Sequence, residues 1–304
     1  MSAYAEGVLA LCSWMTGTTR QGCMGRGVRL GMLVGMMSMW MATAGAQTPV
    51  STNPAALVRR AMQLRLEEEK THRPVRYVLR KTDGDHETTK EMIETKDGDV
   101  ARLVEVNGKP LTEEQEQAEM NRLDTLAAHP ELEARRRERE QKDAARMDQL
   151  VGMLPDSEIY TMEGTVACGT GQCYRLRFTP NPKFQPPDLE AEVLRGFAGE
   201  VWIEKAQTRL VRLDAHLVRD VNIGFGILGR LDKGGTIELQ QEFESNVGEW
   251  QPTVLKMNLS GKALMVKTVK IRMDEVASGF APVPPGIGYR EAIAMLKRLG
   301  TSVQ

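Results

Sequence analysis

Three stretches of this chain alternate between apolar and polar residues with a period of two, and this alternation limits the fold more than any other feature. Residues 208–221 set Val211, Leu213, Ala215, Leu217 and Val221 on one side, with Arg212, Asp214, His216 and Asp220 on the other. Residues 249–260 set Leu255, Met257 and Leu259 against Lys256 and Asn258. Residues 263–277 align Met265, Val269, Ile271 and Met273. Successive side chains of a strand point to opposite faces, so each stretch reads as a strand with one greasy and one wet side. Such strands build an antiparallel sheet that is covered on one face. Further strands are expected at 157–167, 173–179, 199–205 and 235–245. Near the start, 75–80, 86–96 and 100–106 are punctuated by Asp83-Gly84, Asp97-Gly98 and Asn107-Gly108, the pattern of an antiparallel meander. Many evenly spaced strands with few helices predict an α+β fold built on a single large, curved antiparallel sheet. No internal repeat of fixed period interrupts this reading.

Helices are expected where the period changes. Asn53 caps and Pro54 opens a helix over 54–70, with Leu57, Ala61, Leu64 and Leu66 on one side. The Pro-rich run 181–187 is a surface crossing followed by a short helix, and residues 288–299 form a last helix with Ile293, Leu296 and Leu299 inward. The long helices at the two ends are placed over the apolar side of the sheet. Residues 111–154 read as a charged helical insertion. Thr112 and Gln115 make a capping box, and His129-Pro130 separates a first helix from a second that reaches about Leu154. From Glu133 to Asp143 only Ala134 is apolar, and Glu131/Arg135, Glu133/Arg137 and Glu138/Lys142 stand four residues apart, acid first. That is a solvated face, and a surface on which an envelope protein partner is expected to dock. Acids flank Arg135–Arg137, and the chain has 40 basic against 41 acidic residues, so no nucleic acid is expected as a partner.

The first 46 residues do not read as fold. Residues 30–41 carry no charge, Arg26 and Arg29 precede them, and Ala44-Gly45-Ala46 follows. These are the three parts of a cleaved secretory signal peptide, and twelve apolar residues are short of the roughly 20 that span a bilayer. Cleavage is expected between Ala46 and Gln47, leaving a loose stretch 47–53 ahead of one domain, 54–304. Met24 opens a more ordinary signal than Met1, so residues 1–23 are expected to be an extension. Export places the mature chain in the periplasm. Its net charge falls to −3 once Arg20, Arg26, Arg29 and Glu6 are gone.

Two cysteines then remain, Cys168 and Cys173, between strand-like flanks. In an oxidising compartment they are expected to pair as a structural staple. A redox C-x-x-C has different spacing, and no second Cys/His pair completes a zinc site.

The run 199–217, GEVWIEKAQTRLVRLDAHL, with the later strands 236–261, resembles a hairpin of exported bacterial proteins of the outer-membrane lipoprotein-sorting type, a G-x-x-W-I-E strand followed by T-x-R-L. Residues 54–300 as a whole resemble a group of exported bacterial proteins with no established role. The resemblance implies an open β half-barrel with helices as a lid over an apolar cavity, and a carrier activity without catalysis. It transfers no binding residue.

The residues themselves carry little chemistry. No H-E-x-x-H, G-x-S-x-G, P-loop lysine or C-x-x-C is present, so the chain reads as a non-enzyme, with no cofactor and no metal. Gly224–Gly229 matches G-x-G-x-x-G, but strands rather than a βαβ unit surround it. Asp83, Asp85, Asp97 and Asp99 suit tight turns better than Ca²⁺. His216 lies on a polar face. One stretch stands out: 221–231, VNIGFGILGRL, is too apolar for an ordinary loop. It closes the core, or it lines a cavity mouth, or it touches a membrane. Phe225, Ile227 and Leu228 from this stretch, with Leu213, Leu217, Leu255 and Met257 from the strands, form the expected hydrophobic ligand site. The competing expectation is a structural or interaction protein of the envelope with a filled core.

Overall fold

A computed structural model describes residues 53–169, 171–226, 228–264 and 267–301. The leader with its Ala46–Gln47 exit, residues 47–52, Ile227 and Met265 lie outside the described residues.

The described residues fold into one antiparallel sheet of 13 strands. These are β1 (Val75–Asp83), β2 (His86–Ile93), β3 (Val100–Val106), β4 (Lys109–Pro110), β5 (Glu158–Cys168), β6 (Gly171–Pro180), β7 (Phe197–Glu204), β8 (Leu210–Leu217), β9 (Val221–Ile223), β10 (Gly229–Leu231), β11 (Thr236–Glu244), β12 (Glu249–Ala263) and β13 (Lys267–Pro282). Their spatial order is β4-β3-β2-β1-β13-β12-β11-β8-β7-β6-β5, so β4 and β5 are edges that never meet and the sheet stays open. The expected meander β1–β4 is joined to the rest by β13, which pairs along β1 from Val75↔Pro282 to Asp83↔Met273. Where one strand was expected over 208–221, two form: β8 ends at Leu217, and Val221 starts β9. The short hairpin β9–β10 branches from the end of β12 through Leu231↔Gly261 and Gly229↔Ala263. The first turn is shifted by one residue from the expected Asp83-Gly84. Asp83 pairs with His86, and Gly84, at φ +61°, and Asp85 make the loop.

Four α-helices are described: α1 (Pro54–Thr71), α2 (Glu113–Ala128), α3 (Pro130–Ser157) and α4 (Tyr289–Thr301), and the short helix expected after the Pro-rich run is a 3₁₀ turn at Ala191–Arg195. Asn53 accepts the Ala55 and Ala56 amides at 3.0 and 3.4 Å, and Thr112 and Gln115 form the reciprocal capping box. Helix α3 runs past Pro155 instead of stopping at Leu154. Its last carbonyls are satisfied from outside: Tyr160 Oη donates to Leu154 O, and Asn181 donates its Nδ2 to Asp156 O and its amide to Ser157 O, each at 2.9 Å. No helix among the described residues is long and apolar enough to cross a membrane.

Helices cover the sheet in two blocks, one on each face. Helix α1 and the C-terminal part of α3 lie over the larger core, burying Leu57, Val58, Ala61, Met62, Met147, Leu150 and Val151 against β6–β13. Helices α2 and α4 cover the opposite face at β2 and β3, where Leu123, Ile293 and Leu296 pack on Ile93 and Val100, so the last helix does not join α1 over the apolar side as expected. The 111–154 region is therefore built into both cores, and only its middle matches the expected solvated face. Glu131, Arg135, Glu138 and Lys142 are exposed, and Glu138 meets Lys142 at 2.8 Å. Arg137 reaches Asp97, at 3.4 Å.

Candidate functional site

An apolar cavity lies between the lid and the sheet. Helix α3 supplies Met147, Leu150, Val151 and Leu154, spaced i, i+3, i+4, i+7 and so on one face. Helix α1 supplies Met62, the 3₁₀ turn Val193 and Leu194, and the inward residues of β8 and β11 supply Leu213, Ala215, Ile237 and Leu239. Only Arg65, Glu158 and Gln241 bring polar atoms to the wall. About 100 Å³ is left free. The lid helices run antiparallel, since Arg59 pairs with Asp156 at 2.5 Å and Arg65 with Asp148 at 3.6 Å.

Glu158, at 4% exposure, is the unusual wall residue. Burial raises its carboxyl to about 9, against the opposing pull of Arg219 and of a hydrogen bond from Ser157. At neutral pH it is an uncharged acid, and its Oε2 has no hydrogen-bond partner among the described residues. Nothing in the sequence marked it. The α3 stripe was visible as helical spacing, but it follows a charged run that dominates the segment.

The structure does not bring the sequence-selected ligand residues together. Leu213 lines the cavity. Leu217, Leu255 and Met257 are buried in packed core and are not among its walls, because their strand positions lie beyond the lid's free space. Phe225 is fully exposed at the β9–β10 tip, and Leu228 is half-buried beside it. The 221–231 stretch thus divides: Val221, Ile223 and Leu231 close the core, whereas Phe225 stands in solvent. The G-x-G-x-x-G run is the loop of this hairpin, so no helix N-terminus follows it. His216 is exposed on the outer, polar face, which carries Lys256–Glu238 and Arg212–Asp214 contacts at 3.5 and 2.6 Å.

A second polar feature was not foreseen. His72, just past α1, donates toward Glu94 from Nε2 at 2.6 Å and toward Glu249 from Nδ1 at 2.7 Å. Burial alone would push its imidazole down, but the bonds and charges of the two carboxylates reverse this and raise it to about 9. Burial lifts the Glu94 carboxyl in turn, restrained by the His72 bond and the Val75 amide. This charged imidazole ties the end of α1 to β12 and to the segment after β2.

Cys168 and Cys173 are bonded across the β5–β6 hairpin, with Cα atoms 5.8 Å apart. Cys173 is fully buried, which suits a staple.

No family model matches the chain, and no curated protein matches it. Among solved structures, it is similar to a LolA superfamily protein from Nitrosomonas europaea, at 8% identity over 77% of this chain and 95% of that one, TM-score 0.29. It is also similar to a DUF1329 family protein from Desulfovibrio piger, at 12% identity over 78% and 96%, TM-score 0.29. The chemistry of the site follows from this chain's own residues.

Proposed function

We propose that this chain is a periplasmic carrier or sensor that holds a hydrophobic ligand, such as a lipid, an acyl chain or the acyl part of a lipoprotein, beneath α1 and α3. The observation that carries this reading is the apolar wall shared by lid and sheet, with free space between them. Each methylene moved from water into such a wall gains about 0.8 kcal/mol, so binding needs no reaction. A neutral Glu158 fits a greasy ligand better than a carboxylate would, because it adds no buried charge to be solvated.

The free volume of about 100 Å³ is below the roughly 300–1,000 Å³ usual for a ligand of drug size. Loading therefore requires the lid to lift. Of the pairs that pin α1 to α3, Arg59–Asp156 lies at the surface, where such a contact is worth about 0–1 kcal/mol, and two lid residues on the wall are flexible methionines, Met62 and Met147. Fluorescence titration with an environment-sensitive fatty-acid probe tests the reading. Saturable binding that Leu213→Glu weakens at least tenfold, with its unfolding midpoint followed in parallel, supports it. Binding unaffected by that change places the ligand elsewhere.

The same small volume favours a second reading, an envelope structural or interaction protein whose hollow is filled by its own side chains. Absence of saturable probe binding to the folded wild-type chain selects it.

A further inference from the structure

Two loops at one end of the sheet are built unlike the rest of the surface. Phe225 is fully exposed, and among the described large apolar residues the next is Leu264 at 57%. Both sit at turns with left-handed backbone, Phe225 at φ +56° and Leu264 at φ +49°. Gly224 and Gly226 flank Phe225, also at positive φ. The loops are fastened to each other, since the Leu264 amide donates to Leu228 O at 3.0 Å and β10 pairs with the end of β12. Phe225 is thus displayed on a braced platform, not on a loose tail.

Charge around this platform is mainly basic, its nearest acids, Asp220 and Asp232, both meeting Arg230. Residues 221–231 and 260–273 contain Arg230, Lys262, Lys267, Lys270 and Arg272 and no acid, in a chain whose acids slightly outnumber its bases. Arg230 is occupied by Asp232 at 2.9 Å. Lys262, Lys267 and Lys270 are exposed and form no ion pair among the described residues. Apolar side chains at a tip with basic residues behind them match the layering of a membrane surface, where acyl chains lie beneath anionic phosphates. Three exposed lysines without ion pairs among the described residues, set behind one inserted ring, suit the layered charge of a bilayer better than the mixed charge of a second copy.

We propose that the paired loops at Gly224–Gly226 and Leu264, with Lys262, Lys267 and Lys270, dock this protein onto an anionic phospholipid bilayer, with Phe225 inserting among the lipids. This does not depend on what the cavity holds. The base of the same hairpin packs on the 3₁₀ turn that walls the cavity, since a Cβ on Gly196 would lie 2.2 Å from Val221 Cγ2.

Flotation of residues 47–304 with vesicles of phosphatidylcholine alone, or with about one third phosphatidylglycerol, tests the proposal. Binding to the anionic vesicles, weakened by salt, is the result expected. Phe225→Ser should lower the partition coefficient at least tenfold without moving the unfolding midpoint, since this ring is wholly in solvent. Each of Lys262→Gln, Lys267→Gln and Lys270→Gln should lower it about fivefold, the worth of one basic residue near such a surface. Phe225→Trp should shift its emission to the blue when anionic vesicles are added. Failure to float with anionic vesicles at low salt overturns the proposal. So does flotation with an unmoved Phe225→Trp spectrum, or a dimer in solution that Phe225→Ser dissolves.

Discussion

At Gly199 the fold has no room for a side chain. A Cβ there would lie 1.8 Å from the carbonyl oxygen of Asp214 on the neighbouring strand, so β7 and β8 approach too closely for any other residue. Gly199→Ala is expected to destabilise the protein by about 2 kcal/mol or more, measured by urea unfolding, because backbone must move to admit the methyl. Two titrating residues set the response to pH. Glu158 titrates near 4.5 when unfolded and about 9 when folded, and His72 near 6.5 and about 9. In both, the folded chain holds its proton more tightly, so their contributions are full at low pH and fade as pH rises toward 9. The urea midpoint should fall between pH 6.5 and 9. Glu158→Gln should flatten the part of the slope that begins near 4.5, and His72→Gln the part that begins near 6.5. At this scale the sequence was readable only where local geometry is decisive. Asn53, Thr112 and Gln115 act as caps because their partners lie within three residues. Glu158 and His72 owe their character to residues up to 177 positions away, which no spacing rule reaches.

Among elements, the β5–β6 hairpin and helix α3 give the clearest tests. Reducing the Cys168–Cys173 bond should cost about 2 kcal/mol, the chain-entropy value for a loop this short, and the thiols should resist labelling until a reductant is added. In α3, Leu150→Ala is expected to cost roughly 2–5 kcal/mol, whereas Glu138→Ala, on the solvated face, should stay within about 0.5 kcal/mol. That contrast within one helix explains why its role was hard to read. The charges at 131–142 are conspicuous, whereas Met147, Leu150, Val151 and Leu154 form a stripe of barely two turns at its far end. The strands were easier, because alternation survives in Leu255, Met257 and Leu259 whatever their neighbours are. The 208–221 segment was over-extended because Val221 keeps the same parity as Leu217 across a bend that alternation does not register.

The described residues form an open sheet with helices on both faces, α1 and α3 over the larger core and α2 and α4 over the opposite face of β2 and β3. Its class was legible from the period-two pattern, but its closure was not. Pairing of β1 with β13 joins residues about 200 positions apart, and their sequences do not name one another. The space beneath the lid, about 100 Å³, has walls other than the residues selected from the sequence, because the lid decides which inward residues face it and the lid includes α3. The central claim is that this space admits a hydrophobic guest. Native mass spectrometry of the chain exported to its own envelope and purified without detergent tests it most directly. The account expects a population heavier by one lipid or fatty acid, lost on organic extraction and absent from Leu213→Glu. A single species at the mass of the bare polypeptide, still unchanged after incubation with envelope lipids, would contradict it.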